Sequence, residues 1–170
     1  IAVSNLFCRN MLASFSLALV IILLMFIFML KDITLGLVSM IPNILPIAYI
    51  IGLMGLCDIP VDLGNILVAS IAIGLAVDDT IHFMHHFAGH YKRYGNVDAA
   101  IQYTLDHSGR AMVSTSIVLC LGFLVYLTAS MKNLVIFGTL TSITIVFALL
   151  FDLIFSPALL RTFYKDKGIS

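Results

Sequence analysis

Ile73-Gly-Leu-Ala-Val-Asp78-Asp79-Thr-Ile-His82-Phe-Met-His85-His86 places two adjacent carboxylates inside a long apolar run. The run extends from near Leu63 to about Phe87, so Asp78 lies close to its centre. An ionisable group at bilayer depth costs roughly 2.5–3.5 kcal/mol on insertion scales. Two neighbouring carboxylates at that depth should not both be charged without compensation, because like charges oppose one another. A chain that keeps such a pair is expected to use it.

The rest of the sequence makes the bilayer setting firm. Of 170 residues, 61% are hydrophobic and 11% charged, against about 25% charged in an ordinary soluble domain. A soluble core of this size would need a charged surface that the chain lacks. Acids and bases balance at nine each, so no nucleic-acid partner is indicated. Cys8, Cys57 and Cys120 stand singly, with no CxxC spacing, and read as small apolar residues in or near the bilayer. The chain opens on Ile1 without signal-peptide features, and is expected to be a fragment or one end of a longer protein.

Five spans can be drawn, at about 11–30, 33–57, 63–87, 111–130 and 134–160. Each is near the ~20 residues that a ~30 Å hydrocarbon core requires. Helices are the open-ended way to satisfy every backbone polar group there. The expected fold is therefore all-α: a single polytopic membrane domain over 1–170, a bundle of five transmembrane helices. Between the third and fourth spans, Asn96 can cap a short helix whose apolar residues Val97, Ala100, Ile101 and Leu105 share one face. It reads as an amphipathic helix over about 97–107, ended by Gly109 and lying on the cytoplasmic membrane surface. Pro42 and Pro46 lie inside the second span and predict a kink, a flexible point if that helix moves. Small residues, Gly74 among them, with Gly36, Gly52, Gly55, Ala69, Ala72, Ala76, Gly122 and Gly138, predict close helix packing.

Charge gives the orientation. One side holds Arg9 and Lys132; the other holds Lys31, Lys92, Arg93, Arg110, Arg161, Lys165 and Lys167. The positive-inside rule makes the second side cytoplasmic, with the C-terminus inside.

At 3.6 residues per turn, Gly74, Asp78, His82 and His85 share one stripe of the third helix, and Asp79 and His86 the next. Carboxylates in mid-membrane leading to imidazoles have the composition of a proton path, with Asp78, Asp79 and His82 as the relay. Ser114, Thr115 and Ser116 in the fourth span are the hydroxyls expected to bond the carboxylates. His85, His86 and His90 read as solvated interfacial residues. Asp152 reads as a structural acid, either buried or reaching Arg161. A metal site is not expected, because the histidines fan around the helix and no Cys joins them. No Lys or Arg lies in mid-membrane, so one aspartate is protonated or its countercharge lies outside this sequence.

Gly74-Leu-Ala-Val-Asp78-Asp79-Thr-Ile-His82-Phe resembles the carboxylate-bearing helix of the RND (resistance–nodulation–division) transporter superfamily. The likeness is nearest to the MMPL-like exporter branch, which is related to Patched and sterol-sensing domains. Ile41-Pro-Asn-Ile-Leu-Pro46, Gly109-Arg-Ala-Met-Val-Ser-Thr115-Ser116 and Pro157-Ala-Leu-Leu160 agree in order and spacing. The resemblance implies the five helices that follow the second extracytoplasmic domain of a two-repeat protein. It implies export of hydrophobic or amphiphilic compounds, lipids among them, driven by the proton gradient across the inner (plasma) membrane. Asp78 and Asp79 match the proton-relay position, and Thr115 and its neighbours match the hydroxyl-bearing region. The implied partners are membrane lipids, a hydrophobic or lipid substrate, protons, and a first repeat with porter domains beyond this sequence; both trimers and monomers occur in such families. No cofactor is implied, and no nucleophile–base constellation or phosphate loop points to an enzyme. Two alternatives share the architecture: a sterol- or lipid-sensing regulatory module, and a translocation motor of the SecD/SecF kind.

Overall fold

The computed structural model describes residues 2–57, 59 and 63–165, without the side chains of 2–12, 63–66, 69 and 72. The expectations on Cys8, Arg9, Ala69, Ala72, Lys167 and most of the 58–62 connector lie outside the described residues. Six α-helices follow one another: α1 (Ala2–Leu30), α2 (Ile33–Leu56), α3 (Leu63–Tyr94), α4 (Val97–Thr104), α5 (Arg110–Leu124) and α6 (Lys132–Phe163). No strand occurs among the described residues. Among the described residues, four helical segments are long and apolar enough to cross a membrane: 13–30, 33–56, 97–128 and 132–163. The helix α3 has 32 residues, but from Asp78 onward it carries both aspartates, four histidines and Lys92-Arg93.

One expectation is corrected at Gly109. The helix does not stop there. Its backbone is helical, with φ −58° and ψ −39°. A π-helical turn over Leu105–Gly109 carries α4 straight into α5. A glycine ends a helix by taking positive φ, as Gly95 does at 70° after α3; Gly109 does not. The apolar face of α4 is also spent on protein: Val97, Ala100 and Ile101 are buried in the main core. Asn96 caps α4 as its sequence predicts, accepting from Ala99 N at 2.7 Å.

The hub of the bundle is α6, which packs on α2, α3 and α5. Its buried residues Gly138, Thr141, Ser142, Ile145, Ala148, Asp152 and Ser156 recur at three- and four-residue spacing, a stripe made mostly of the small and polar residues that membrane helices use to approach closely. Thr141, Ser142 and Thr144 return their hydroxyls to carbonyls one turn earlier at 2.7–2.8 Å, so burial leaves these groups satisfied. The glycines expected to pack behave unevenly. A Cβ on Gly52, Gly55 or Gly74 would meet nothing within 4 Å. The close approaches are at Gly36, where a Cβ would stand 2.7 Å from Ile27 Cγ1, and at Gly138, 2.6 Å from Phe123 O. The helix α2 runs through Pro42 and Pro46, both buried; Ser39 and Asn43 donate to Leu35 O and Ser39 O around them.

Side-chain bonds gather the basic residues at one end of the bundle. Lys92 Nζ reaches Leu30 O at 3.3 Å, Arg161 Nε reaches Asp98 at 2.8 Å, and Tyr91 OH reaches Lys165 O at 2.6 Å. Tyr164 OH donates to Asp32 Oδ2 at 2.8 Å, while Asp32 Oδ1 caps α2. Burial first, and then Asp32, push the Tyr164 hydroxyl above its ordinary range. The fold thus favours the protonated phenol. Its contribution is complete below the unfolded value of about 10 and is lost as pH rises beyond it. Tyr164→Phe is expected to lower stability by about 1 kcal/mol near neutral pH and to flatten the alkaline decline. Thermal unfolding in detergent at neutral and alkaline pH checks both.

Candidate functional site: the carboxylates of the third helix

Helical periodicity separates the two neighbouring acids. Leu67, Ser70, Gly74, Asp78, His82 and His85 are all exposed, a single stripe along α3. Asp78 lies on that stripe, with His82 Nε2 3.8 Å from its Oδ1. Asp79, about 100° around the helix, turns inward and is 6% exposed. Gly74, expected to pack, sits on the outward stripe, which is why nothing crowds it.

Behind Asp79 stands an acid whose role in the site sequence spacing did not reveal. Thr80 Oγ1 donates to Asp152 Oδ1 at 2.7 Å, and both residues are fully buried. Asp152 therefore does not reach Arg161, which pairs with Asp98 instead. Asp152 Oδ2 and Ser156 Oγ, one turn on, are both buried, with the serine hydroxyl beside the carboxylate. On α2, Asn43 is also buried and its Oδ1 is unpartnered. The stack of Tyr49 on Phe147 at 3.9 Å registers α2 against α6. In antiparallel helices that register brings Asn43 level with Asp152, since each lies five or six residues beyond its ring on the same side. Polar side chains of α2, α3 and α6 thus share one layer of the interior. Unsatisfied polar atoms in such a layer are costly, and mark a place where a proton or polar ligand changes the balance.

The hydroxyls assigned from sequence are elsewhere. Thr115 Oγ1 donates to Ala111 O and Met112 O of its own helix at 3.1 and 3.0 Å. Ser114 is exposed, and Ser116 Oγ is buried with no partner. None of the three bonds Asp78 or Asp79 among the described residues. The reason is topological: α5 packs on α6 and not on α3, and the hydroxyl that reaches a carboxylate of this layer is that of Thr80, on Asp152. The signal for Thr80 was its position beside Asp79 in a polar run; the signal for Asp152 was its place on the small-residue stripe of α6. No group of three or more His, Cys, Asp or Glu among the described residues is placed to hold a metal ion.

Comparison with known proteins gives a match over residues 6–162 to the family model described as Patched SSD. The chain is also similar to the "Putative membrane protein MJ1562" of Methanocaldococcus jannaschii, at 26% identity over 140 residues. That match covers 82% of this chain and 36% of the relative, so the chain spans about a third of that protein's length. No solved structure matches.

Proposed function

From the premise that this chain belongs to the Patched family, we propose that it is the membrane half of an exporter of hydrophobic or amphiphilic compounds driven by the proton-motive force. Members of this family are membrane transporters or sensors, with sterol- or lipid-related functions, and not enzymes. The observation that carries the narrower reading is the division of labour at the site. Asp78 faces out of the bundle beside His82, while Asp79 faces a buried Thr80–Asp152 pair. The layer contains two carboxylates, Asp79 and Asp152, and no Lys or Arg, so proton occupancy governs its charge. Protonation removes the cost of a buried anion and lets α3 and α6 pack differently; the proline-bearing α2, packed on both, is the element that yields. In this reading α3 completes a set of five spans, the basic end is cytoplasmic, and the MMPL-like branch is the nearest kin. The outward stripe of Gly74, Asp78 and His82 faces the matching helix of the other repeat.

The competing reading is a sterol- or lipid-sensing module, favoured by the family's own description. A sensor has no need of a titrating layer. The full-length protein in liposomes separates the two. An imposed proton gradient is expected to drive movement of a fluorescent lipid analogue, and an uncoupler to stop it. Lipid binding with the same affinity at every gradient, and no movement, would assign the protein to sensing.

A further inference from the structure

The cytoplasmic-reading end of α3 carries a second cluster that the carboxylate site does not use. His85, His86, His90 and Arg93, with Tyr94 and with Tyr103 of α4, line an open cleft of about 300 Å³. The rings of His107, Tyr103, His90 and Tyr94 form a continuous ladder, with centroids 4.0, 4.7 and 4.5 Å apart. The Arg93 guanidinium extends it, 5.5 Å from the Tyr94 ring. No carboxylate lines the cleft. Of the acids on the flanking segment, Asp98 is held by Arg161 and Asp106 is exposed. Arg93 has no carboxylate partner among the described residues. His90 Nδ1 is buried and without a hydrogen-bond partner. At Gly89, also in the lining, a Cβ would meet nothing within 4 Å, so the wall there is open backbone.

We propose that this cleft binds a phosphate group, that of an anionic lipid headgroup. The donor set is cationic or convertible to cationic, and lacks the acids that a metal or an amine would require. A guanidinium matches phosphate oxygens with its planar fork. Depth favours a lipid over a solute. At 1.5 Å per residue α3 is about 48 Å long, against a ~30 Å core, so its last turns stand at headgroup level. Tyrosines are the residues that settle there.

The test uses the full-length protein in phosphatidylcholine nanodiscs with and without phosphatidic acid, and counts retained phosphatidic acid by native mass spectrometry. Arg93→Gln removes the fixed charge. Gly89→Leu fills the cleft from a position where a Cβ meets nothing within 4 Å. Lys92→Gln is the control, because Lys92 points away to Leu30 O. Wild type and Lys92→Gln are expected to retain phosphatidic acid. The other two variants are expected to bind about tenfold more weakly, the value of one charge-assisted contact. In discs without phosphatidic acid, inorganic phosphate is followed by phosphorus NMR. Phosphate bound there and lost in the same two variants, with no phosphatidic acid retained, would keep the phosphate site and overturn its lipid source. Equal retention by all four proteins would overturn the site.

Discussion

Asp79→Asn is expected to reduce gradient-driven movement of substrate about 100-fold, the scale associated with losing a positioned proton-transfer group. Asparagine keeps the shape and the hydrogen-bonding capacity of a neutral carboxyl, and Asp79 is buried in a layer without a cationic partner, so the fold should persist. What the amide lacks is a second protonation state. Proton coupling needs the residue to visit both. Asp78→Asn tests the outward position. If both positions are on the path, each variant loses coupling while binding of a lipid analogue is retained. If the path uses the interior alone, Asp78→Asn keeps coupling, and Thr80→Val, which deprives Asp152 of its hydroxyl donor, joins Asp79→Asn among the inactive proteins. If Asp78→Asn and Asp79→Asn both leave coupling at the wild-type level, the export reading fails. The pair would then be a structural or ligand-binding element of a sensor.

The carboxylate layer was half legible before any coordinates. The 3.6-residue period divides Asp78 from Asp79 and predicts that Gly74, Asp78, His82 and His85 share a stripe, as they do. Which stripe faces inward depends on neighbours, and sequence order misled there. The fourth span was expected to supply hydroxyls, but α6 lies between α5 and α3 and supplies Asp152. The same ambiguity explains the glycines. Gly74, Gly52, Gly36 and Gly138 are indistinguishable as letters, since each is a small residue in an apolar run; only the packing makes two of them indispensable. The short amphipathic helix failed differently. Its apolar face was real, but periodicity cannot say whether such a face meets lipid or protein. A π-turn, which has no strong sequence signature, removed the break expected at Gly109. Hydropathy placed the helical segments well because apolar length is a property of the chain alone. The partners of each face are not.

Gly138→Leu is expected to be the most destabilising single change in the bundle. The backbone of α5 tightens into a 3-10 turn over Val125–Thr128, and this brings Phe123 O and Tyr126 Cβ against α6. A Cβ at 138 would stand 2.6 Å from both. The first of these atoms is main chain and cannot rotate away, and the rings of Phe123 and Tyr126 are wedged on Phe137 at 5.9 and 5.7 Å. One turn on, Ser142 and Cys120 exchange hydrogen bonds across the same seam at 3.4 and 3.6 Å. Relief therefore requires the helices to part, which opens that second contact as well. Overpacking of this kind costs about 1–3 kcal/mol or more, and it outweighs the gain of about 1 kcal/mol that a glycine replacement brings inside a helix. Gly138→Ala should already show the loss, because the Cβ alone makes the clash, and leucine should enlarge it. Gly122→Ala in α5 provides the contrast. Its Cβ meets nothing within 4 Å, so the helical gain should appear undiminished and the melting temperature should rise. Melting temperatures in detergent that fell equally for positions 122 and 138 would mean that α5 and α6 do not meet through Gly138. Since α6 also carries Asp152 to Thr80, a parted seam should weaken gradient coupling in the Gly138 variants at temperatures where they remain folded.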